Sequence, residues 1–198
     1  MAVGHRRWLL YPQTQVMGTG DVPATNGFAA ANATWVFDAN YLGPRPATRQ
    51  GYVAWPPEGF VPYQVVFPQW SFGLSNADLS ASTVAMTSNG VPVAVTIQPY
   101  VTGFGENTLV WYPSALDTSY STVFPFNGAD TAYSITIGNI GVGASHISIS
   151  YNVTVFDPAV PGADYIPTTI TGPSQILATA GTLYSCRAPN NTNVTSYQ

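Results

Sequence analysis

No lysine occurs in the 198 residues; the basic side chains are Arg6, Arg7, Arg45, Arg49 and Arg187. Only 7% of residues are charged, against roughly 25% in an average soluble domain. A net charge of −4 with so few cations excludes a surface that neutralises a run of phosphates, and with it nucleic-acid binding. It also excludes a polybasic patch for anionic lipid. A single cysteine, Cys186, excludes a disulfide framework within the chain. No apolar run approaches the roughly 20 residues of a bilayer-spanning helix. Two histidines, His5 and His146, leave little material for histidine-based catalysis or metal binding.

What is present is apolar, aromatic and punctuated. Seventeen prolines and eighteen glycines interrupt the chain too often for long helices. Solubility must come from Ser, Thr, Asn and Gly, which suits a secreted or surface-attached bacterial protein. One short helix is expected over Val3 to Leu10, halted by Pro12. Beyond it the period-2 signal of strands dominates. Gln15 to Thr19 and Ala33 to Asp38 read as two strands around a loop, and residues 41–60 as a proline-rich linker or edge segment.

The central stretch, 61–158, reads as an all-β, Greek-key, immunoglobulin-like sandwich. Trp70, Phe72 and Leu74 alternate with Ser71 and Gly73. Asn89-Gly90 joins two β-runs and tolerates the positive φ angles of a type I′ turn. A two-residue loop pairs Ser88 with Val91, Met86 with Val93, and Val84 with Val95. Pro92 then faces Thr87, which requires an unpaired outer side and hence a sheet edge. Tyr133 sits where a tyrosine corner would place it. Ile147, Ile149, Tyr151, Val153 and Val155 form the cleanest one-sided strand.

Family resemblances mark both flanks. Gly4-His5-Arg6-Arg7-Trp8-Leu9-Leu10-Tyr11-Pro12, with Thr34-Trp35-Val36-Phe37, resembles the C-terminal part of bacterial CAP (SCP-like) domains. This gives residues 1–40 as a helix-plus-hairpin remnant of such a domain. Ile170 to Ser174, Tyr184-Ser185-Cys186 and Asn193 to Gln198 resemble the first strands of PKD-like and immunoglobulin-like modules. Residues 159–168 become a linker and 169–198 the truncated start of that module. The chain is then expected to be an internal slice of a longer modular protein.

Candidate chemistry is sparse. The CAP resemblance implies that His5 is one ligand of a metal site whose partners lie upstream; alone it cannot hold an ion that wants about four ligands. No catalytic residue is assigned: no Gly-x-Ser-x-Gly elbow occurs, and His146 lies on the polar face of its strand. The acidic residues are scattered singly, without the paired carboxylates of a glycosidase. Trp55, Trp70, Trp111 and Tyr112 could form a planar platform for glycans, although core packing of such residues is the commoner outcome. The function expected is that of a non-catalytic extracellular structural or adhesive module. Its expected partners are proteins or glycans at the cell surface, with self-association through open strand edges. A carbohydrate-binding module, or part of a CAP-domain hydrolase, are the alternatives; no cofactor is expected.

Overall fold

The computed structural model describes residues 3–116, 118 and 124–159. The expected linker beyond Ala159, the PKD-like start at 169–198 and Cys186 lie outside the described residues. Two sheets face each other across one core. The first is ordered β4 (Gly59–Pro62), β11 (Ser145–Phe156), β10 (Thr131–Val142), β6 (Thr83–Ser88), β7 (Val91–Val93). The second is ordered β3 (Tyr52–Trp55), β5 (Trp70–Leu74), β9 (Thr108–Pro113), β8 (Val95–Ile97). These orders reproduce the two-sheet Greek key of an immunoglobulin-like sandwich, with the first strand shared between sheets. The proline-rich stretch therefore supplies one edge strand to each layer. The switch falls at Trp55–Pro56, whose peptide bond is cis.

The core mixes aromatic and aliphatic side chains. Trp70, Phe72, Leu109 and Trp111 from one sheet meet Met86, Ile135, Ile137 and Val153 from the other. Trp70 touches Trp111, Phe124 and Tyr133 with ring centroids at 6.5, 5.9 and 5.3 Å. Burying such rings is the largest favourable contribution available to a chain with so few charges.

The Asn89-Gly90 turn is formed as expected, with φ of 48° and 80° at the two residues. Ser88 pairs with Val91, Thr87 with Pro92 and Met86 with Val93, and Pro92 lies on the outermost strand of its sheet. The expected Val84–Val95 pair is absent, because the chain crosses to the other sheet at Ala94. There Val95 pairs with Pro113 instead. Tyr133 hydrogen-bonds the side chain of Ser88, its cross-strand neighbour. The long β10–β11 hairpin carries a bulge: Ile137 pairs with Ile149 but Ile140 with Ile147. Within it Asn139 takes φ 56° and its amide donates to the Ala81 carbonyl at 2.9 Å.

At the N-terminus, α1 (Gly4–Leu9) is six residues long and has no side-chain cap at Val3. Such a helix is marginal by itself. A two-stranded sheet follows, β1 (Gly18–Val22) with β2 (Ala31–Trp35). Both strands sit offset from the expected Gln15–Thr19 and Ala33–Asp38. All ten residues are exposed, so burial did not fix the register. Residues from Met1 to Phe156 nevertheless group as one compact unit. Contacts between α1 and the sandwich are described next.

Candidate functional site

Three of the five arginines converge where α1 meets the outer face of the β5–β9 layer. Arg7 is 5% exposed, and its guanidinium donates to the carbonyls of Val101 at 2.9 Å and Glu106 at 3.3 Å. Arg6 donates to the Gln69 carbonyl at 2.6 Å and to Ser71 Oγ at 3.4 Å, and lies over the Phe67 ring. This contact explains why Ser71, on the face away from the core, is buried. Arg45 Nε donates to Glu106 Oε2 at 2.9 Å, a pair that is nearly enclosed. Burial pulls Arg6 down to about 10 and lowers Arg7 as well, with Tyr100 opposing in the second case. Both remain cationic at neutral pH. The arrangement is a clamp: planar five-donor groups fasten a short helix to carbonyl oxygens of two loops and to one strand hydroxyl. The cavity beside it, lined by Arg6, Arg7, Ser71 and Glu106 among others, is about 20 Å³. That is too small for an organic substrate, which requires several hundred Å³.

The second candidate surface is the β1–β2 hairpin. Gly18, Gly20 and Val22 share one face with their partners Trp35, Ala33 and Ala31. The other face is polar. There the Asn32 amide donates to Thr19 Oγ1 at 2.9 Å and to Asp21 Oδ1 at 2.7 Å. Trp35 is 64% exposed and makes an edge contact with Phe37, which in turn meets Trp8 and Tyr41. The base of the hairpin is tied by Asp38, whose carboxylate accepts the N–H groups of Gln15, Val16 and Asn40. Desolvation works upward on Asp38, yet the hydrogen bonds from Asn40, Gln15 and Val16 together hold its carboxyl below the usual range.

The residues singled out from sequence do not assemble. His5 is exposed on α1, and no three His, Cys, Asp or Glu side chains come together among the described residues. Trp70 and Trp111 are fully enclosed cross-strand partners, so they pack the core and cannot form a glycan platform. Trp55 is half-buried at a sheet edge with Nε1 donating to the Val65 carbonyl at 3.2 Å. Tyr112, next to Trp111 on β9, points to the opposite face of its sheet. His146 is exposed near the tip of the β10–β11 hairpin. Asp157 accepts the N–H of Ala159 in a local turn. The clamp was missed because its members are 61 residues apart in the case of Arg45 and Glu106, with no local pattern linking them. Trp35 carried a signal, an aromatic on a two-stranded segment with small neighbours, that was read only as part of the CAP resemblance.

No family model matches the chain, and no curated protein matches it. Among solved structures, it is similar to PcoC, a methionine-rich copper resistance protein from Escherichia coli. The identity is 18%, the TM-score 0.37, and the match covers 52% of this chain and 93% of that one.

Proposed function

We propose that this chain serves as a non-catalytic structural or adhesive β-sandwich module of a multidomain bacterial protein, secreted or held at the cell surface. The observation that carries this reading is the pairing of β4 with β11. They are parallel, with Gly59 beside Val153 and Pro62 beside Phe156. Tension entering at the start of β4 and leaving at the end of β11 pulls the two strands past each other. All their hydrogen bonds are then loaded together rather than opened one at a time. Phe60 packs edge-on against Phe156 at 6.2 Å across the same seam. The arginine clamp supports the same reading, since it spends most of the cations on holding one segment of chain against the sandwich.

Single-molecule extension of the full chain tests it. The expected record is a discrete high-force event releasing the chain between Gly59 and Phe156, about 320–350 Å when fully extended. Gradual lengthening without a force peak would contradict the load-bearing role. Turnover of ester, peptide or glycoside substrates by the purified chain would contradict the non-catalytic one.

A further inference from the structure

We propose that the apolar face of the β1–β2 hairpin is a shallow binding site for a neutral saccharide ring, with Trp35 as the stacking platform. This goes beyond the load-bearing reading, and neither depends on the other.

Flatness comes from the residues opposite the indole. Gly18 is the register partner of Trp35, and the Trp35 Cβ lies 4.0 Å from where a Gly18 Cβ would stand. Gly20 faces Ala33, and a Cβ built on it would meet nothing within 4 Å. A groove with a glycine floor and a methyl wall therefore runs beside an indole that is 64% exposed. Phe37 braces that ring, with centroids 6.5 Å apart, and Trp8 braces Phe37 at 4.8 Å. The platform is thus held in place before any ligand arrives, which lowers the ordering cost of binding.

Size and charge select the occupant. Five registered pairs on two strands give a face of about 14 by 10 Å. A stable protein contact needs about 800 Å² from each partner, several times more than this face offers. The face carries no charged side chain; Asp21 projects to the other side with Asn32 and Thr19. A charged ligand would find no counter-ion there. A pyranose offers a neutral, flat array of C–H groups, which stacks on the electron-rich indole face while its rim hydroxyls stay in water.

The test is calorimetric titration of the full chain with cellohexaose and, separately, N-acetylchitohexaose. At least one should bind, and Trp35→Ala should weaken that binding by about tenfold or more. Gly20→Val is the second arm. Gly20 has ordinary extended backbone and open space above it, so valine fits the strand and should leave the melting temperature unchanged or higher. It fills the groove, however, and should abolish binding. The proposal is overturned if neither saccharide binds at millimolar concentration, or if Trp35→Ala or Gly20→Val binds like the native chain. A concentration-dependent dimer in sedimentation that Gly20→Val disperses would also overturn it, since a second copy would then be the occupant.

Discussion

Gly105 approaches the backbone of Arg7 so closely that a Cβ added to it would lie 2.6 Å from the Arg7 carbonyl oxygen. The same glycine holds φ at +61°, a conformation that costs other residues about 1–2 kcal/mol. Gly105→Ala is therefore expected to push α1 off the sheet. Hydrogen exchange should show faster exchange in α1 than in β5 and β9, which keep their protection. Equal loss throughout would mean the helix and sandwich open as one.

Removing the guanidinium tests the clamp from the other side. Arg7→Ala loses two bonds to carbonyl oxygens from an enclosed position. A charged-group hydrogen bond contributes about 1.5–3 kcal/mol, so the variant should be clearly destabilised in urea. Arg7→Lys should recover only part, because an ammonium cannot reach Val101 and Glu106 with the same fork.

The Arg45–Glu106 pair makes a sharper prediction. Glu106→Ala leaves Arg45 nearly buried without its anion, which costs about 3 kcal/mol or somewhat more. Replacing both, as Arg45→Met with Glu106→Leu, should be less destabilising than Glu106→Ala alone. A double-mutant cycle by denaturant unfolding checks this. Additive losses would show that the two charges do not sense each other.

Tyr151 is 2% exposed and its hydroxyl has no hydrogen-bond partner among the described residues. Tyr151→Phe removes an unsatisfied polar atom without changing the ring, and should stabilise the chain by about 1 kcal/mol. A loss of stability would mean that the hydroxyl is satisfied in solution.

Alkaline pH should unfold the protein through its phenols. Burial, then the neighbouring Glu58 carboxylate, pushes Tyr52 up to about 12, and burial raises Tyr133 and Tyr151 too. In the unfolded chain these groups ionise near the ordinary value of 10. Above that pH the folded state holds protons that the unfolded state has released, so stability falls as pH rises from 10 toward 12. Urea midpoints measured across this window should drop, and the slope should lessen in Tyr52→Phe. A flat profile would contradict the shift.

The legible parts of the fold were those where one short stretch fixes its own geometry. Asn89-Gly90 dictated both the turn and the pairing of Met86 with Val93, since only the positive-φ residues fit there. The alternation in β11 announced a half-buried strand and delivered Tyr151, Val153 and Val155 to the core. Sheet crossing at Ala94 was invisible, because Val95 is apolar whichever sheet receives it. Prolines hid β3 and β4, whose edge positions spare them much of the hydrogen bonding that proline prevents. The hairpin β1–β2 was found but misplaced, as no buried face anchored it. As for the candidate sites, packing of Trp70 and Trp111 could be read from their strand positions. The arginine clamp could not, because it exists only once distant segments meet.

The uneven placement of the tryptophans gives the protein an internal optical reporter. Trp70 and Trp111 are sealed among Phe124, Tyr133 and aliphatic neighbours, whereas Trp35 faces solvent. Emission from the sealed pair should lie to the blue and move red only when the two layers part. Trp35 should emit to the red throughout and be quenched by added iodide. With the part-buried Trp8 and Trp55 replaced by phenylalanine, one spectrum follows opening of the sandwich and access to the hairpin as separate signals.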